Sequence, residues 1–160
     1  MNPRAEKMFA HNEAVPGTQI KTGVGVIIRN DNGHFLLEKR SDCGLWGVLG
    51  GRVDPGEEIA ETARREVLEE SGFQIEITGL VGVYSHPAGR IVIYPDNDDI
   101  RHLIDIIVEA RIVGGSLRLS SESERIEFFP PGQLPALEEI MPPARRPIAD
   151  ALAGHRGVLR

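Results

Sequence analysis

The stretch GGRVDPGEEIAETARREVLEESGF, residues 50–73, carries the one long helical pattern in the first half of the chain. Helix-forming Glu, Ala, Arg and Leu dominate from Glu57 to Ser71. Asp54 and Glu57, with Pro55 between, form a cap box at its start, or Gly56 keeps that part as loop; Gly72 suits a left-handed helix end. At 100° per residue with Ile59 as zero, Ala63, Val67 and Ala60 fall at about 40°, 80° and 100°, which defines a buried stripe. On the same wheel Glu70, Glu66 and Glu69 fall at about 20°, 340° and 280°. Three carboxylates therefore share one arc, and one points into the edge of the apolar face. Like charges at i,i+4 cost a few tenths of a kcal/mol on an exposed helix and more where water is excluded. Arg65 can pair with Glu61 or Glu69, yet it leaves the cluster short of countercharge. A hard divalent cation would supply the rest, because Mg²⁺ takes oxygen ligands and keeps waters for a phosphate substrate. The alternative is a solvated acidic face laced with Arg64 and Arg65.

Outward from this helix the chain reads as strands. Thr22 to Ile28 and Phe35 to Leu37 flank Asn30-Asp31-Asn32-Gly33, which suits a hairpin turn. Leu45 to Leu49 runs into Gly50-Gly51, where the missing Cβ atoms let main chain approach a ligand. Phe73 to Ile77, Leu80 to Tyr84, Ile91 to Tyr94, Leu103 to Val113, Leu117 to Leu119 and Ile126 to Phe129 are further candidate strands. A short helix is expected after Pro130-Pro131 and a last one over Arg145 to Leu152. Many short strands around one helix predict an α+β or mixed α/β sandwich. Residues 1–18 mix polar residues without period and end on Pro16-Gly17, the pattern of a partly disordered arm; residues 19–160 are expected to form a single domain including the C-terminal helix.

Length fits that division, since 160 residues with 41% apolar content suffice for one core. Eighteen Lys+Arg against 24 Asp+Glu leave a formal charge of −6, which disfavours general nucleic-acid binding. An acidic chain acting on an anion needs a mediator, again a cation. The single cysteine, Cys43, excludes an internal disulfide and a multi-cysteine zinc site. Met1 to Gly17 has no sustained apolar stretch, so neither signal peptide nor membrane anchor is expected, and the protein is expected to be soluble and cytoplasmic.

Read together, Gly51, Glu57, Arg65-Glu66-Val67, Glu69-Glu70 and Gly72-Phe73 give nine specified positions in a 23-residue window, which resembles the Nudix hydrolase (MutT-like) signature with no required position missing. The resemblance implies a Nudix α/β/α sandwich with a central mixed β-sheet, and metal-dependent hydrolysis of a nucleoside diphosphate linked to another group. Carried over, it implies Mg²⁺ or Mn²⁺ held by Glu66, Glu69, Glu70 and the Gly50 carbonyl. Family members differ over which glutamate also serves as base, and Glu66 is the choice here; Arg65 would orient the carboxylates, and Glu57 would assist through water or a second ion. The substrate would be a small nucleotide-type molecule: a nucleoside triphosphate, ADP-ribose or a nucleotide sugar. A homodimer is implied in the same way. Leu49 departs from the proline many members place before the Gly-Gly pair. A Nudix-fold module that senses a nucleotide without cleaving it is the alternative function, although such a module would be expected to carry a damaged signature.

Weaker signals surround this one. Glu122, by its offset from Phe128, matches an acidic loop residue that reaches the metal or water in the family, with Glu124 second. Trp46 is either core or a base-stacking ring. His86, Arg90, Arg101 and His102 are candidate substrate or phosphate contacts, and Asp96-Asn97-Asp98-Asp99 is an acidic turn lacking the glycine and glutamate of a Ca²⁺ loop. The Arg145, Arg146, Arg156 and Arg160 tail reads as a solvated face.

Overall fold

The structure, a computed structural model, describes residues 3–94 and 97–160. Its elements are α1 (Pro3–Met8), β1 (Gln19–Arg29), β2 (Phe35–Arg40), β3 (Trp46–Gly47), β4 (Leu49–Arg52), α2 (Ile59–Ser71), β5 (Phe73–Tyr84), β6 (Ile91–Ile93), β7 (Ile100–Gly115), β8 (Ser123–Phe129), α3 (Pro142–Leu152) and β9 (Val158–Leu159). β1 lies at the centre, parallel to β7 from Gln19↔Arg101 to Arg29↔Arg111 and antiparallel to β4 from Gly23↔Arg52 to Val26↔Leu49. β5 continues the sheet beyond β7, with β9 at its far edge; β2, β3 and β8 extend the other side. The sheet is therefore mixed, as expected.

Strand alternation divides the core. Val24, Val26 and Ile28 face α2, packing with Leu36, Ala63 and Val67. Ile27, Phe35 and Leu37 face the opposite layer, where Ala144, Ile148 and Ala151 of α3 pack on them. The three layers α/β/α follow.

Several elements differ from the sequence reading. α2 starts at Ile59, because Glu58 and Glu61 cap each other's backbone while Glu57 is drawn elsewhere; Asp54 is not the cap. The two strands expected over 73–84 are one strand whose bulges beside Gly79 and Gly82 interrupt the apolar period. Leu117 to Leu119 lies outside any strand, and the short helix after Pro130 is a 3₁₀ turn, Pro131–Gln133. Within the N-terminal stretch, α1 buries Ala5 and Met8 against Leu45 and Val92. Trp46 belongs to the core, edge-on to Phe129 at 4.9 Å between ring centres. Cys43 is buried, and burial pushes its thiol up to about 11. In the acidic turn, Lys7 pairs with Asp98 and Arg101 with Asp99, whereas Asp96 lies outside the described residues. No helix among the described residues is long and apolar enough to cross a membrane.

The C-terminal tail is not simply a solvated face. Asp150, with its side chain 3% exposed, accepts from Tyr84 Oη at 3.1 Å, Arg146 Nε at 3.2 Å and Arg160 Nη2 at 3.3 Å, and pairs with His155 Nδ1 at 2.9 Å. Burial raises its carboxyl, but the bonds from His155, Arg160, Tyr84 and Arg146 outweigh burial and hold it well below the usual range. A depressed folded pKa contributes stability above the unfolded value near about 4, which is lost as pH falls through the folded one. Asp150→Asn is expected to cost about 3 kcal/mol at pH 7 by urea unfolding, because four donors lose a buried charge. The variant's midpoint should also fall less than that of the parent protein between about pH 4 and pH 2.

Candidate active site

The Gly50-Gly51 corner of β4 fixes the site, because β4 can sit against β1 only without a side chain at Gly50 and against Glu66 only without one at Gly51. Gly50 adopts φ +144°, and a Cβ on it would lie 2.0 Å from the Val24 carbonyl oxygen. A Cβ on Gly51 would lie 2.4 Å from the Glu66 carboxylate, so Glu66 occupies the space this glycine leaves open. One turn on, Glu70 Oε2 accepts the Gly50 N–H at 2.8 Å. The i,i+4 spacing on α2 thus lays two carboxylates along one short glycine ribbon.

Arg65 braces this arrangement. Its Nε and Nη2 donate to Glu57 at 2.6 and 2.8 Å, while Nη1 donates to Glu66 Oε1 at 2.7 Å and stands 3.5 Å from Glu69 Oε2. The Arg65 fork holds the Glu57 carboxyl down at about 2, helped by the Thr62 hydroxyl. Glu69, with its side chain 60% exposed, stands at the rim.

Beyond these lies a carboxylate that the sequence reading missed. Glu38 on β2 is 1% exposed and accepts the Ser123 hydroxyl. Burial first, then repulsion from Glu38, pushes the Glu70 carboxyl well above the usual range against the opposing pull of the Gly50 amide and Arg40. Burial also raises Glu66, with Glu69 and Glu122 adding to the shift and Arg65 opposing it. Glu122, exposed in the loop before β8, therefore stands within electrostatic reach of both Glu66 and Glu38. The signal for Glu38 was available: Leu36 faces α2, and two residues on along a strand points the same way.

Among the described residues, no set of three or more His, Cys, Asp or Glu side chains is drawn together as a ready metal cage. Glu66 is turned to Arg65 and Glu70 to the Gly50 amide. The donor set nevertheless suits a hard cation: it consists of carboxylate oxygens raised first by burial and then by their like-charged neighbours, and a cation among them would offset both.

On the other side of the same ribbon a cleft of about 180 Å³ opens, lined by Gly50 and Gly51 as well as by β1, β7, α1 and Arg40. A NUDIX domain family model matches residues 19–152. The chain belongs to the Nudix hydrolase family. A Bacillus subtilis (strain 168) protein named "Putative 8-oxo-dGTP diphosphatase" is 35% identical over 137 residues, 85% of this chain and 83% of that protein. An "ADP-ribose pyrophosphatase" of Methanocaldococcus jannaschii is 33% identical over 113 residues, 69% of this chain and 62% of the relative. The crystal structure of a MutT NUDIX hydrolase from Burkholderia pseudomallei superposes with a TM-score of 0.67 at 27% identity, covering 82% of this chain and 98% of that one.

The Nudix helix α2 and its preceding loop thus bring Gly50, Glu57, Arg65, Glu66 and Glu70 together, with Glu69 at the rim and Glu122 opposite. The Gly50 carbonyl is the atom the family resemblance assigns to a cation, whereas the contact resolved here is made by its amide. Of the weaker candidates, Arg90 is not available for phosphate: it is buried, donating to Asp105 at 3.0 Å and to the Pro143 carbonyl at 2.8 Å. His102 Nε2 is bonded to the Ser85 carbonyl at 2.7 Å, and His86 Nδ1 accepts from the Ala88 amide at 3.2 Å. Arg101 stacks on Tyr94 at 4.0 Å and lines the cleft.

Proposed function

We propose that this Nudix hydrolase cleaves the diphosphate linkage of a nucleoside diphosphate derivative in a Mg²⁺- or Mn²⁺-dependent reaction. The supporting observation is that one glycine ribbon is shared by the carboxylate cluster and the cleft. A substrate lying across it would place its phosphates beside Glu66 and Glu70 and its nucleoside in the cleft. Glu66, Glu70 and Glu69, with the Gly50 carbonyl, are the groups suited to hold the cation; Glu122 is a further candidate. Bound there, such a cation supplies charge neutralisation on the bridging oxygens and makes a coordinated water more acidic. Arg65 keeps the Glu66 carboxylate oriented through Oε1, which leaves Oε2 to take the proton from the attacking water. Glu57 acts through Arg65, fixing its guanidinium from the loop side. Attack at one phosphorus expels a phosphate-ester leaving group. Residues 19–160 act as one catalytic domain in the cytoplasm.

The named relatives make 8-oxo-dGTP and ADP-ribose the first substrates to try. The test is incubation of the full chain with Mg²⁺ and a panel of nucleoside triphosphates, 8-oxo-dGTP, ADP-ribose, NADH, dinucleoside polyphosphates and nucleotide sugars, following phosphate and nucleoside monophosphate. Hydrolysis of at least one is expected. No turnover of any would favour a nucleotide-sensing module.

A further inference from the structure

The cleft contains a charge that catalysis does not need. β7 alternates, so Arg101, Leu103, Asp105 and Ile107 all point into the cleft. Opposite Asp105 on β1 stands Gly23, and opposite Ile107 stands Gly25, so the cleft is open where side chains would otherwise fill it. Asp105 is an unfavourable residue for a central strand flanked on its own face by Leu103 and Ile107. Arg90 holds it: Nη1 donates to Oδ2 at 3.0 Å, while Nη2 is anchored on the Pro143 carbonyl at the start of α3. The guanidinium also lies 5.3 Å from the centre of the Tyr84 ring, a third contact that orients it. The other oxygen, Oδ1, lies over Gly23, where a Cβ would come within 3.1 Å of it. A carboxylate pinned by one oxygen, with the other turned over a glycine floor between apolar walls, is an acceptor set for a flat ring that carries an N–H donor.

We propose that Asp105, positioned by Arg90, selects nucleotides whose base carries an exocyclic amino group. This rests on the cleft being the nucleoside site proposed above. An amino group offers N–H to Oδ1, whereas the oxo group in its place turns lone pairs toward a buried negative charge, and pairing the neighbouring ring N–H of uracil or hypoxanthine instead requires the base to shift in the cleft. Burial raises the Asp105 carboxyl and Arg90 and His102 oppose that shift, so a donor at Oδ1 acts in the same direction as its protein partners.

The experiment compares matched base pairs: cytidine with uridine and adenosine with inosine nucleotides. The triphosphates are read by kcat/KM with Mg²⁺, and the monophosphates by calorimetric Kd without metal. The amino member is expected to be favoured about tenfold or more in each pair. Asp105→Asn, whose amide oxygen stays with Arg90 and whose NH₂ then faces the cleft, should abolish or reverse the preference, mostly through KM. Gly23→Ala, which crowds Oδ1 without removing the ion pair, should reduce the same ratio and serves if Asp105→Asn fails to fold. Equal values within each pair in the parent protein would overturn the inference. So would variants that lose activity equally on both members, the mark of a merely structural ion pair. Because the monophosphate measurement needs no hydrolysis, base selection without turnover would sink the catalytic reading alone, and turnover without base selection would sink only this one.

Discussion

Glu66→Gln and Glu70→Gln are each expected to lower kcat by at least about 10²-fold, since either change removes charge from the site proposed to hold the cation. Their thermal midpoints should stay level or rise. Glu70 is buried beside Glu38 and its carboxyl is pushed up by that burial and repulsion, so a neutral amide relieves a cost and can still accept the Gly50 N–H. Activity lost while stability is kept or gained marks residues retained for chemistry rather than for packing. Melting curves by circular dichroism alongside steady-state rates decide the matter. Near-parental rates in both variants would remove the assignment, and a collapse of the fold in both would place these side chains in the structural core instead.

Alanine at the two adjacent glycines should give opposite outcomes. At Gly50 the new Cβ meets the Val24 carbonyl at 2.0 Å in a left-handed conformation, and backbone cannot yield without unpairing β1 from β4. Gly50→Ala is therefore expected to destabilise by about 3 kcal/mol or more, with poor soluble yield. At Gly51 the Cβ meets the Glu66 carboxylate, the far end of a side chain that can swing away. Gly51→Ala should cost less than about 1 kcal/mol in urea unfolding yet lower kcat by about 10²-fold, because Glu66 loses its seat. A folded Gly51→Ala protein with parental kcat would show that the position of Glu66 against β4 is irrelevant to catalysis.

These contrasts separate what residue order alone reveals from what strand pairing adds. The angular period of α2 was readable, and it put Glu66 and Glu70 at the edge of the apolar stripe where both are found. The reach of Arg65 was readable only in part. Pairing with Glu69 could be anticipated, but the stronger bonds to Glu57 depend on how the loop from Arg52 to Glu58 folds back. Glu38 and Asp105 went unnoticed because each sits in an apolar run whose significance depends on neighbours far away in sequence, Glu70 and Ser123 for one and Arg90 and Gly23 for the other. Arg90 looked like a phosphate contact because a cation near the Nudix helix in sequence carries no sign of its burial. α1 was missed since its six residues bear only two buried side chains, too few for a period to emerge.

The ribbon at residues 50 and 51 is one polypeptide strand thick, with the Glu66 and Glu70 carboxylates on one side and the cleft on the other. Such a partition makes the two halves separable in evolution. Under the proposed function, substitutions on β7 or α1 would change which nucleotide is accepted while leaving Glu66 and Glu70 in place.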